Sequence, residues 1–185
     1  MESKKYGYTL IEIIVSVVIV AIISIGVSQF NLAWILNLQR SSIFVNQVVS
    51  IIEVTRNYFM TGKYITTSQV PAYAWKVEFP IWVSSKLYVR YKLTSAGAWI
   101  EEPRAGYTMN NFEKIVYVSC KQIDNTSVNI NTAGLSVNIV FEPGKIWFEW
   151  CPDNSYRKIE IVTNFRGITK KVLFNGMSGI IENVQ

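Results

Sequence analysis

Between Lys5 and Arg40 the chain carries a single charged residue, Glu12. The 27 residues 13–39 hold neither a charge nor a proline, and about 20 apolar residues suffice to cross the hydrocarbon core of a bilayer as a helix. A stretch of this kind cannot stay bare in water. It needs lipid or other helices around it, and it marks the chain as a membrane protein at its start. Lys4 and Lys5 precede the run, which places the N-terminus on the cytoplasmic side and everything after Gln39 outside the cytoplasm. A cleavable secretory signal shares the basic start and the apolar core. Two features count against it: the uncharged run is long for a signal peptide, and Gly26-Val27-Ser28 is a poor substitute for an A-x-A-like cleavage site.

Glu12 is the residue a plain anchor does not explain. A carboxylate at bilayer depth costs roughly 2.5–3.5 kcal/mol, less near the interface. The sequence reading gives it no use within a generic anchor, so a cationic partner is expected. Lys4 and Lys5 sit seven or eight residues back on a short leader, and an amino group from another subunit would serve better.

The run Lys4-Lys5-Tyr6-Gly7-Tyr8-Thr9-Leu10-Ile11-Glu12-Ile13-Ile14 resembles the prepilin signal of type IV pilins and type II secretion pseudopilins. That signal is a basic leader ending in Gly, then an aromatic or apolar residue, T-L-I-E and a long apolar helix. Tyr8 stands where the family usually has Phe. The resemblance implies cleavage by a prepilin peptidase between Gly7 and Tyr8 and methylation of the new α-amino group of Tyr8. The apolar segment would remain on the mature protein, first as an anchor and then as the core of a helical filament. Glu12 would then neutralise the N-terminal ammonium of a neighbouring subunit, since a pair of charges in an apolar medium attracts far more strongly than in water. The partners so implied are other pilins or pseudopilins, the peptidase and an inner-membrane assembly platform.

The helix is expected to continue past the membrane to about residue 60. Phe44, Val48, Ile51, Ile52, Thr55, Tyr58 and Phe59 follow the i, i+3, i+4 rhythm of an amphipathic helix, and Gly62 offers a C-cap. Beyond it the pattern turns to period two: 75–83, 87–93, 115–121, 135–141, 146–150, 158–163, 168–174 and 180–184 read as strands. Pro80 should make its strand an edge or split it, and Glu142-Pro143-Gly144-Lys145 fits a type II turn. Turns are expected at Ser84-Ser85, Asp153-Asn154 and Phe165-Arg166-Gly167, and a loop at 97–106. The fold class is α+β, a long N-terminal helix on an antiparallel β head. The organisation is a leader (1–7), a membrane and filament-core helix (8–39), an amphipathic half-helix (40–62) and a head (63–185). The tail, with Val140-Phe141-Glu142-Pro143-Gly144 and Asn164-Phe165-Arg166-Gly167, is similar to the GspH/FimT-type minor pilins, which implies a minor rather than a major subunit.

Catalysis finds little support. The chain has no His, which removes His-dependent triads and His-bearing zinc sites, and no Walker A or G-x-S-x-G sequence. Glu101-Glu102 reads as a solvated loop pair, and Asp153-Asn154 alone cannot supply the 6–8 oxygens of a calcium cage. No cofactor or metal is expected. Cys120 and Cys151, the only cysteines, could form a disulfide in an extracytoplasmic head or remain buried thiols. Arg157, Lys158, Arg166, Lys170 and Lys171 could form a basic patch for nucleic-acid phosphates. A DNA-binding competence pilin and an adhesive tip subunit are therefore the alternatives to a purely structural filament subunit.

Overall fold

The computed structural model describes residues 9–65, 70–83, 86–124, 126–152 and 155–184. It divides into two compact units, Met1–Gln39 and Arg40–Gln185. One helix, α1, runs Leu10–Met60. In the first unit the described apolar side chains of α1, Ile13, Val17 and Ile22 among them, are exposed on every side. This helix is long and apolar enough to cross a membrane.

The second unit starts within α1, and there the burial becomes one-sided. Phe44, Val48, Ile51, Ile52 and Thr55 are buried, while Gln47 and Glu53 are exposed. The 3.6-residue period puts these positions on one stripe. The helix ends in a Schellman motif: the Lys63 N–H donates to the Tyr58 carbonyl at 2.9 Å and the Gly62 N–H to that of Phe59 at 3.2 Å. Gly62 takes φ 60°, which a residue without Cβ adopts at little cost.

Eleven strands are described: β1 Ala74–Pro80, β2 Lys86–Lys92, β3 Ile100–Glu101, β4 Tyr107–Thr108, β5 Glu113–Lys121, β6 Ser127–Ile130, β7 Ser136–Glu142, β8 Lys145–Glu149, β9 Lys158–Phe165, β10 Ile168–Asn175 and β11 Ile181–Val184. They form two antiparallel sheets, one ordered β3-β2-β1-β7-β8 with β4 also on β2, the other β11-β10-β9-β5-β6. A parallel bridge between Ile81 and Ile115 links them. The core joins the buried stripe of α1 to the inward residues of both sheets, with Trp75, Val77 and Phe79 from β1, Ile139 and Phe141 from β7, and Ile159, Ile161 and Phe174 from β9 and β10.

The strand expectation at Pro80 needs correction. β1 is a central strand, and Pro80 is its last residue, opposite Ser136 of β7. Pairing with β2 stops at Glu78, opposite Tyr88, so the missing N–H falls where only one neighbour remains. The strand does not reach residue 83, because Trp82 turns to φ 60°. The expected loop at 97–106 contains β3, and β6 is a strand the alternation did not reveal. The turns placed at Ser84-Ser85 and Asp153-Asn154 lie outside the described residues. At Pro143-Gly144 the structure has φ 79° at Gly144 between Glu142 and Lys145, the geometry of a type II turn.

Candidate functional site: the helix start and the charged head surfaces

The first functional element is the start of α1. Gly7 and Tyr8 lie outside the described residues. Thr9 is the N-cap and Glu12 occupies the third helical position. The Thr9 N–H donates to Glu12 Oε2 at 2.8 Å and the Thr9 hydroxyl donates to the same oxygen at 2.9 Å. Thr-x-x-Glu before an apolar run is the capping-box pattern, in which the acid reaches back to an N–H that has no partner within the helix. The expectation that a plain anchor has no use for Glu12 is therefore corrected: the carboxylate caps its own helix. The signal was in the sequence, at Thr9 and Glu12, three residues apart. Ser16 and Ser24 donate to the carbonyls of Glu12 and Val20, each at 2.7 Å, so their hydroxyls are satisfied within the helix.

In the head, Cys120 of β5 and Cys151, just after β8, are joined by a disulfide with Cα atoms 5.9 Å apart. It ties the edge strand of one sheet to the second sheet. Free buried thiols, the other reading of the sequence, are not what the structure contains.

The five basic residues read as a surface patch are dispersed. Arg157 and Lys158 lie at one end of β9 and Arg166 in the turn beyond the other; eight residues of strand separate them, roughly 25 Å at about 3.3 Å per residue. Lys170 and Lys171 are adjacent on β10 and so face opposite sides. Lys170 Nζ donates to Ser42 Oγ at 3.0 Å, on the side of α1. Lys171 lies 3.4 Å from Glu160, which Lys121 also meets at 2.5 Å. Burial disfavours the Glu160 charge, but the two lysines outweigh it and hold the carboxyl below the ordinary carboxylate range.

Sequence alternation did not reveal a second charged surface, on the side of the first sheet away from the core. Lys76, with its side chain 8% exposed, lies 2.8 Å from Glu78 and 3.6 Å from Glu149, and Arg90 lies 3.2 Å from Glu78. Lys92 meets Glu142 at 2.8 Å. The ring of Trp99 covers both lysines, 4.7 Å from Lys76 Nζ and 5.1 Å from Lys92 Nζ. Burial raises the Glu142 carboxyl, yet Lys92 and Lys145 prevail and its pKa is lowered. At Tyr107, burial and a 2.8 Å hydrogen bond donated to Glu113 push the phenol upward. These acids each face a cation or a donor, which fits structural pairing rather than proton transfer. Among the described residues no group of three or more His, Cys, Asp or Glu is placed to hold a metal.

Comparison with known proteins agrees with the start of α1. Residues 3–28 match the family model described as the prokaryotic N-terminal methylation motif. No curated protein and no solved structure matches the chain significantly. The matched residues include Gly7, Thr9 and Glu12 and the first turns of the exposed apolar helix. The start of the chain therefore carries the prokaryotic N-terminal methylation motif, over residues 3–28.

Proposed function

We infer that the protein is a minor pilin or pseudopilin, a structural and non-enzymatic subunit of a type IV pilus or a type II secretion pseudopilus. The observation that carries this reading is the coincidence of three features within one motif. Gly7 precedes the helix start, Glu12 caps it, and the part of the helix that follows, up to Gln39, is apolar on every side. A helix apolar all round is stable only where its surroundings are apolar too. Lipid supplies such surroundings before assembly and neighbouring helices supply them afterwards.

In this reading the chain is inserted with its N-terminus in the cytoplasm and cleaved by prepilin peptidase after Gly7. It is methylated on Tyr8 and drawn into a filament or its tip complex by an inner-membrane assembly platform. The GspH/FimT-like tail favours a minor subunit. DNA uptake receives less support, because the cations named for it are dispersed and two of them are engaged by Glu160 and Ser42. Mass spectrometry of the N-terminal peptide tests the proposal. The expected peptide starts at N-methylated Tyr8, and Gly7→Val should block the cut by adding bulk at the cleavage position. An intact Met1 in the assembled protein, or a cut after Ser28, overturns it.

A further inference from the structure

Two residues other than glycine with positive φ, Trp82 (φ 60°) and Arg166 (φ 48°), line one groove of about 330 Å³. The groove also receives Val116, which sits where the β5–β9 register shifts between Ile115 and Tyr117. Left-handed residues with a Cβ and β-bulges are both costly to the backbone and concentrate at binding sites. Here two such irregularities, Trp82 and the β5 bulge, converge from separate segments on the β9–β10 hairpin turn that carries Arg166. The Trp82 N–H donates to the Ile115 carbonyl at 2.8 Å, which fixes that segment against β5. Arg166 and Gly167 both have φ above zero in the two-residue β9–β10 hairpin, the pattern of a type I′ turn. The turn lifts the Arg166 guanidinium over the ring of Phe112, 4.1 Å from its centroid.

The chemistry of the lining is uniform in sign. Eight cations of the head pair with carboxylates; Lys114 and Arg166, like Arg104, Arg157, Lys158 and Lys170, have no carboxylate partner among the described residues, and these two share the groove. No acid is among the described residues that line the groove. The nearest in sequence, Glu113, is buried and accepts from the Tyr107 hydroxyl at 2.8 Å and the Asn110 N–H at 2.9 Å. Two large rings are open to solvent, Trp82 at 47% and Phe112 at 50% exposure. Asn111, Asn164 and Thr169 supply the uncharged polar lining; the Asn164 amide is held within the hairpin, accepting from the Gly167 N–H at 3.1 Å and donating to Thr169 Oγ1 at 3.3 Å.

We propose that this groove binds an acidic sugar unit of a polysaccharide or glycan. The C–H face of a pyranose ring is apolar and packs on an aromatic ring. Its hydroxyls match the donor and acceptor of the Asn111 amide, and its carboxylate matches the fork of an arginine. The volume fits one ring with its substituents, at the small end of ligand pockets. Single-stranded nucleic acid is the less suitable occupant, since its binders repeat cations and stacking rings along a channel of several nucleotides. The inference does not depend on the filament reading, because it concerns the head alone.

The test uses the full-length protein in detergent micelles and isothermal titration with three probes: a glucuronate-bearing tetrasaccharide, an uncharged N-acetylglucosamine tetrasaccharide and an eight-residue oligothymidylate. The acidic tetrasaccharide should bind, with the neutral one weaker by roughly tenfold or more. Arg166→Gln and Lys114→Gln should each weaken the acidic ligand by a similar factor, and Trp82→Ala as well. Arg157→Gln, at the far end of β9, should leave it unchanged. The lysine variant removes a charge without touching the strained turns, so it keeps the test decisive if either neighbour fails to fold. Equal binding of the neutral sugar, binding of the oligothymidylate alone, no binding at all, or affinity that survives Lys114→Gln overturns the proposal.

Discussion

Cutting the Cys120–Cys151 bridge gives a perturbation whose size follows from the fold. The bond closes a loop with a sequence separation of 31. In the chain-entropy model, about 2.1 + 1.5R ln 31 gives roughly 12 cal/mol/K, or about 3.7 kcal/mol at 25 °C. Cys120 is fully buried in the core, so Cys151→Ala leaves a small thiol in apolar surroundings and adds little further cost. For a head of this size each kcal/mol moves the melting temperature by about 2–4 °C, so a loss of about 7–15 °C is expected. The assay is thermal melting of the full-length protein in detergent, followed by near-ultraviolet circular dichroism, with and without a phosphine reductant. Wild type should melt higher without reductant and fall to the level of Cys151→Ala with it, while the variant should ignore the reductant. A wild type that ignores the reductant and melts within about 2 °C of the variant would refute the reasoning. Loop closure would then not be limiting the unfolded ensemble.

Two further outcomes follow from charged groups. Glu142 and Glu160 have lowered pKa values in the folded head, so each contributes stability above its unfolded value of about 4.3, lost as pH falls through the folded value. Melting temperature should therefore fall in that acid range, and Glu160→Gln should flatten the fall; an unchanged slope removes Glu160 from the account. Glu12→Gln should yield a protein still inserted and cleaved, yet poorly recovered with other pilins after shearing or detergent extraction. Normal recovery sinks the assembly role of the charge.

The parts of the fold that sequence made legible are those where one physical period dominates. The stripe Phe44, Val48, Ile51, Ile52 and Thr55 is buried as the 3.6-residue rhythm required, and Gly62 ends the helix as its freedom at positive φ allows. The strands β2 and β10 fall where apolar and polar residues alternate. The misreadings come from rules that depend on neighbours not visible along the chain. Pro80 suggested an edge, but the cost of a missing N–H depends on the rung, and at the last rung it is small. β6 reads Ser-Val-Asn-Ile with most of its residues exposed, so its pairing with β5 leaves no burial signature. The dispersal of the basic residues was hidden for the same reason. Lys170 and Lys171 are neighbours in sequence, but the pleat puts them on opposite faces.

Glu12 illustrates how the structure sharpens an experiment suggested by the sequence. From the sequence alone, Glu12→Gln and Glu12→Val should behave alike, because both remove the charge. The bond from the Thr9 N–H at 2.8 Å makes them different. Glutamine can hold the same capping bond that glutamate holds, while valine leaves the Thr9 N–H and hydroxyl without their acceptor. Loss of a helix cap costs about 0.5–2 kcal/mol in water, and an N–H left unpaired toward lipid costs more. The pair of variants therefore separates two roles. If both insert normally and both assemble poorly, the charge is what assembly uses. If glutamine assembles normally and valine does not, Glu12 serves by ordering the first turn of the helix, and the pairing with a neighbour's ammonium is refuted. In that second case Thr9→Val, which leaves the Glu12 charge in place but removes the hydroxyl bond, should show part of the valine defect.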